Sequence, residues 1–135
     1  MTDIILGVSG VALQDEKILL ARRGRSPYRG MWSLPGGKVK PFEPHREALV
    51  REFGEETGLV VSVGRLAGIA EAIRAEHGSH YLILSYFVTV EGGVLRAGDD
   101  AVEVRWFSRR QLRDLELTPT LERYLEQFGA WRRQL

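Results

Sequence analysis

The segment from Pro44 to Gly58 is bracketed as a single helix, and that bracket constrains the fold more than any other feature of the chain. Proline fixes φ for a helix start and lacks only an N–H that would be unpaired there anyway. Glycine can take the left-handed conformation that ends a helix, after which Leu59 can fold back onto Phe53. The spacing therefore predicts a helix from Pro44 to Thr57, entered from a stiff loop that follows Gly36-Gly37 and contains Pro41. One face of this helix crowds its acids. Glu52 lies three residues from Glu55 and four from Glu56, so three carboxylates share one arc, about 5–6 Å apart at Cβ. Each close pair repels by about 3 kcal/mol at an effective dielectric of about 20, before solvent and salt reduce it. The helix dipole adds to this, because the last turns disfavour anions. A hard divalent cation such as Mg²⁺ relieves both penalties, since it takes carboxylates, water and substrate phosphates as ligands. The plainer reading is a solvated acidic face, with Arg51 pairing Glu47 and Glu55.

Most of the remaining chain has β character. Ile4 to Leu13 and Lys17 to Arg23 read as two strands joined by a short turn, followed by a loop from Arg23 to Arg29. Leu59 to Val63, Ala67 to Ile73, His80 to Val90 and Val102 to Phe107 read as further strands. Turns are expected at Glu91-Gly92-Gly93 and at Ala97-Gly98-Asp99-Asp100. Near the C-terminus, Thr118 suits an N-cap and Pro119 the first helical position. Leu121, Tyr124, Leu125, Phe128 and Trp131 then form one apolar stripe. Strands flanked by two helices predict an α/β chain with a mixed sheet between helical layers. The 135 residues suit one domain, spanning 1–135.

Composition excludes several functions. There is no cysteine, which removes disulfides, thiolate metal sites and cysteine nucleophiles and fits a reducing compartment. The net charge of +1 gives no global reason to hold a long nucleic acid. The N-terminus carries Asp3 where a signal peptide needs cations, and no apolar run approaches a membrane span. A cytoplasmic location is expected. No membrane partner is expected, and a second copy of the chain is the one macromolecular partner left open.

The acidic helix and its entry loop are more specific than their parts. Gly37, Glu43, Arg51, Glu52, Phe53, Glu55, Glu56, Gly58 and Leu59 fill, at the correct spacing, all nine specified positions of the Nudix box. The flanks also resemble that family: Leu19-Leu20-Ala21-Arg22-Arg23, Trp32-Ser33-Leu34-Pro35-Gly36-Gly37 and Glu103-Val104-Arg105-Trp106-Phe107. The chain looks like the small bacterial members described as MutT-like or ADP-ribose pyrophosphatases. The resemblance implies an α/β/α sandwich. It also implies hydrolysis of a P–O–P linkage in a nucleoside diphosphate derivative, either an ADP-ribose-like sugar nucleotide or a nucleoside triphosphate. Glu52, Glu55, Glu56 and the Gly36 carbonyl are then expected to hold Mg²⁺ or Mn²⁺. Arg51 would orient the glutamates, and Gly37, Glu43 and Gly58 would support the loop and the helix. The general base varies within the family, leaving Glu55, Glu56, Asp99, Asp100 and Glu103 as candidates.

For the substrate, Arg22 and Arg23 are candidates for phosphate, with one expected to face the cleft and the other solvent. Tyr28 and Trp32 could stack on a base, although core packing is the commoner role of such a tryptophan. His77 and His80 read as a loop and a strand histidine with no metal between them, and His45 as solvated. Lys40 and Phe42 depart from the acid and glycine that many members carry. Gly54, inside the helix, is expected to serve close packing. Members specific for ADP-ribose often carry a proline downstream of the box, and none occurs between Pro44 and Pro119. The alternative from another class is a non-catalytic, ligand-sensing Nudix domain. Such domains usually lose box acids, whereas here all are present, and the short chain leaves little room for the DNA-binding extension that often accompanies them.

Overall fold

The computed structural model describes residues 3–127. Strand β1 (Ile5–Gln14) runs through the middle of the molecule and continues into β2 (Lys17–Arg23). Asp15 and Glu16 both have positive φ, 52° and 62°, as a two-residue hairpin turn requires. The hairpin pairs only at Leu13↔Ile18 and Gln14↔Lys17, after which the two strands diverge into different parts of the sheet. On the β1 side, β4 (Gly36–Lys38) pairs antiparallel with β1, and β6 (Ser79–Gly93) pairs parallel with it. β5 (Leu59–Arg74) pairs antiparallel with β6. On the β2 side, β3 (Trp32–Ser33) and β7 (Ala101–Ser108) pair antiparallel with β2. The sheet is mixed, as expected, and helices pack on both sides of it.

Period-two alternation along β1 supplies the core. Val8 and Ala12 point to α1 (His45–Thr57) and join Ala48, Leu49, Phe53, Leu59, Val61 and Val88. Val11 points the other way, where Ile18, Leu20, Trp32, Phe107, Leu121 and Tyr124 form a second cluster. The second cluster is closed by α2 (Pro119–Gln127), which buries Leu121 and Tyr124, with Leu125 packed beside them. Phe128 and Trp131 lie outside the described residues. Among the described residues, no helix is long and apolar enough to cross a membrane.

Several boundaries differ from expectation. Pro44 lies just outside α1, with φ −60° and ψ 134°, while its carbonyl accepts the first helical bond from Ala48 at 3.0 Å. The ring fixes φ but leaves ψ extended, so the helix starts one residue later. Gly58 does end it, at φ 78°, donating to Gly54 O at 2.9 Å. The two strands expected over 59–73 are one, because register shifts between Val63 and Gly68 absorb the polar stretch at Gly64-Arg65. The expected turn at 91–93 is strand, since Gly92 and Gly93 pair with Val60 and Leu59. Phe42 has φ 66°, which explains why glycine suits that position.

Gly54 is not required by packing. A Cβ there would have Leu59 O as its nearest neighbour, at an ordinary contact distance of 3.5 Å. Gly54→Ala should therefore raise stability by about 0.5–1 kcal/mol, through the unfolded chain and helix propensity. Urea denaturation reads this directly, and a destabilised variant would show that the helix–strand contact is tighter than the structure describes.

Candidate active site

Two glycines let the entry loop reach the acidic face of α1. A Cβ on Gly36 would stand 2.0 Å from Val8 O, and one on Gly37 would stand 2.2 Å from a Glu52 carboxylate oxygen. No larger residue fits either position without moving β1 or the acid. The next support is Arg51. Its guanidinium donates to Glu43 at 2.8 and 3.0 Å, to Glu52 at 2.8 Å, to Glu55 at 3.4 Å and to the Lys38 carbonyl at 3.1 Å. Glu43 in turn accepts from Lys40 N at 3.1 Å. The Arg51 bond is the largest of the influences that hold the Glu43 carboxyl down to about 2. The same bond raises Arg51 above its already high ordinary value. The expected pairing of Arg51 with Glu47 is replaced by this loop contact.

The acids fall into two settings. Glu52, Glu55 and Asp99 each present an oxygen, and these oxygens all lie within 4.8 Å of one another. Glu56 sits deeper, 9% exposed, with its carboxylate accepting from Gly36 N at 3.4 Å. Burial pushes Glu56 up to about 8, assisted by the charges of Glu52 and Asp99 and opposed by the Gly36 bond and by Arg23. Burial also raises Glu52, outweighing its bond to Arg51. The donors of the cluster are all hard oxygens, a set that fits Mg²⁺ or Mn²⁺.

Beside the acids lies a cavity of about 560 Å³, within the ~300–1,000 Å³ range of small-molecule sites. Its lining includes the acids Glu52, Glu56, Asp99 and Asp100 together with Arg22, Arg23, Arg25 and Tyr28. Both Arg22 and Arg23 border it, with Arg22 exposed and Arg23 half-buried. The β2–β7 ladder shifts register between them, with Val102 the extra residue, and such a bulge breaks strict alternation. Arg22 also donates to Gly30 O at 3.3 Å and Arg23 to Pro27 O at 2.7 Å.

Trp32 is not a cavity residue. It is 6% exposed and meets Phe107 edge-on at 4.8 Å between ring centroids, so it packs the core. Glu103 pairs with Arg22 at 3.7 Å and with Arg105, away from the acidic cluster. Asp100 lines the cavity but pairs with Arg25 at 2.6 Å. His45 is only half-exposed, with a ring nitrogen that meets Tyr86 Oη at 2.7 Å. His77 lies in the 3-10 turn Ala75–His77 and His80 in β6, where His80 pairs with Glu71 at 3.2 Å. Arg25, Arg74 and Tyr81 line the cavity without having been singled out. Arg25 had a legible signal, a third arginine beside Arg22 and Arg23. Arg74 and Tyr81 arrive through the register of the long β5–β6 pair, which no local pattern shows.

Residues 4–128 match the family described as the NUDIX domain. An ADP-ribose pyrophosphatase from Methanocaldococcus jannaschii is 35% identical over 127 residues, covering 94% of this chain and 74% of that protein. A CTP pyrophosphohydrolase from Escherichia coli is 36% identical over 126 residues, covering 93% and 91%. The crystal structure of a MutT NUDIX hydrolase from Burkholderia pseudomallei is similar at a TM-score of 0.84 and 32% identity, covering 94% of this chain and 99% of that one. The fold and the acidic helix are those of a pyrophosphohydrolase, an enzyme that opens P–O–P linkages in nucleoside diphosphate derivatives with a divalent metal. The chain belongs to the Nudix family. The relatives support the enzyme reading and give no support to the ligand-sensing alternative.

The raised Glu56 value sets a pH dependence. Without metal, its carboxyl keeps its proton in the folded protein up to about pH 8, while the unfolded chain ionises it near the ordinary 4.5. The stability this proton carries is complete below the lower value and is lost as pH rises through the upper one. In EDTA, the melting temperature should fall between about pH 5 and pH 8, and Glu56→Gln should flatten that decline. A wild-type melt independent of pH across this window would contradict the buried setting of Glu56.

Proposed function

We propose that Glu52, Glu55, Glu56 and Asp99, with the Gly36 carbonyl, hold Mg²⁺ or Mn²⁺ against the phosphates of a small nucleotide. The observation that carries this reading is the group of three carboxylates within 4.8 Å, two of which, Glu52 and Asp99, line a cavity that arginines also line. When bound, the cation supplies positive charge to the phosphoryl oxygens and acidity to a water ligand. Arg22 and Arg23 hold the outer phosphate of the diphosphate. Glu55, exposed and held by Arg51 at 3.4 Å, takes the proton of the attacking water. The new bond forms at phosphorus and the bridging P–O bond breaks, leaving two phosphate products. Arg51 and Glu43 touch neither substrate nor water in this scheme and act by placing the glutamates. Tyr28, 37% exposed beneath the Arg74 guanidinium, offers a face to the base or second sugar.

The names of the relatives point to two substrate classes, an ADP-ribose-like sugar nucleotide and a nucleoside triphosphate. The sequence carries no motif that singles out one base, so several nucleotides should be accepted. A cytoplasmic location belongs to the same reading and is in keeping with a chain free of cysteine.

Glu52→Gln and Glu56→Gln should each lower turnover at least about a hundredfold while the fold persists, because each removes a ligand that would place the cation at the site of phosphoryl transfer. Glu47→Gln, on the same helix but outside the cluster, should be nearly silent. Activity should vanish in excess EDTA, and AMP, which lacks a P–O–P linkage, should be inert. Hydrolysis in ¹⁸O-water should place the label on phosphate. Label on a sugar carbon, or normal kinetics in both glutamine variants, would overturn the assignment.

A further inference from the structure

Asp99 occupies a position that local forces oppose. It stands beside Glu52 and Glu55 near the C-terminal end of α1, where a third anion is disfavoured, and its own φ is 52°. The segment that carries it, residues 94–100 between β6 and β7, is tied down by backbone bonds. Arg96 N donates to Thr57 O at 2.8 Å and Gly98 N to Glu56 O at 3.1 Å. These carbonyls end α1 and have no intrahelical donor, so the segment caps the helix that bears the acids. Gly98 is needed for the approach, since a Cβ there would meet Glu55 O at 2.5 Å.

The next residue is held from the opposite side. Gly24 N donates to Asp100 O at 2.8 Å, and Arg25 pairs with the Asp100 carboxylate at 2.6 Å. Residues 94–100 therefore run between the end of α1 and the loop after β2, with Asp99 turned to the acids and Asp100 turned to Arg25. We propose that Arg25 and Asp100 are positioning residues, whose ion pair holds Asp99 in the acidic cluster. Arg25 acts through Asp100 and is not a phosphate ligand, although it borders the cavity. Both side chains are partly exposed, 68% and 41%, so the pair refines a placement that the backbone bonds already set. This inference rests on the function proposed above.

The test measures Mn²⁺ binding without nucleotide, by titration of free Mn²⁺, for wild type, Arg25→Ala, Arg25→Lys, Asp100→Asn and Asp99→Asn. Wild-type binding, and its loss in Glu52→Gln, tests the metal site itself. Given that site, Arg25→Ala and Asp100→Asn should each weaken Mn²⁺ binding about three- to fivefold, the scale of a partly exposed ion pair. Asp99→Asn should weaken it at least as much, and Arg25→Lys, which keeps the charge, should stay within about twofold of wild type. At saturating Mn²⁺ the nucleotide KM of Arg25→Ala should be unchanged. Unaltered Mn²⁺ affinity in both Arg25→Ala and Asp100→Asn would overturn the inference. So would a raised KM at saturating metal in Arg25→Ala, which would make Arg25 a direct phosphate contact. Melting curves in EDTA confirm that each variant is folded at the titration temperature.

Discussion

The guanidinium of Arg51 is the contact on which the rest of the site depends. Three carboxylates on one helical arc repel one another, and the helix end repels them again. Arg51 meets two of them, Glu52 and Glu55, and also grips Glu43 and the Lys38 carbonyl. A planar fork with five donors can satisfy these partners at once, whereas a lysine offers one compact ammonium. The same side chain thus offsets part of the acidic charge and pins the entry loop to the helix. Glu56 lies outside its reach, and this is the acid whose ionisation burial opposes most strongly.

Where sequence reading succeeded, the determinants were local. Gly58 ends α1 because a left-handed residue was required there, and Gly36-Gly37 precede it because no Cβ fits. The meeting of Glu52 with Glu55 followed from helical spacing alone. The failures were of two kinds. Period-two reasoning placed one of Arg22 and Arg23 in solvent, and Arg22 is exposed, but it did not foresee that both border the cavity beside the register shift between them. The split of β5 into two strands failed similarly, because irregular register can carry polar residues that a regular strand would not. His45 was misplaced because Tyr86, its partner, is 41 residues away.

Long-range register also chose among the loop acids. Asp99, Asp100 and Glu103 were equivalent candidates in sequence. In the fold they separate, because Glu103 enters β7 opposite Arg22, Asp100 turns to Arg25, and only Asp99 reaches Glu52 and Glu55. The backbone bonds from Arg96 and Gly98 to the end of α1 make that selection. The free carbonyls of a helix end thus do more than await a cap: they decide which acid of a neighbouring loop joins the site.

Helix α1 is therefore both a core element and the platform for chemistry, and its two faces cannot move separately. Phe53, fully buried, lies between Glu52 and Glu55 in sequence and packs the helix onto β1 over Gly10, in one cluster with Val8 and Ala12. Thr57, also fully buried, donates its hydroxyl to Phe53 O at 2.7 Å and accepts from Leu59 N at 3.1 Å, which fixes the last turn and the exit into β5. A shift of Phe53 within its pocket would carry the flanking carboxylates with it by a similar amount. Phosphoryl transfer depends on positioned charge, and small misplacements of such charge have large effects on rate. Close packing beneath the helix is thus part of how the acids are held in place, although none of the packing side chains touches the substrate.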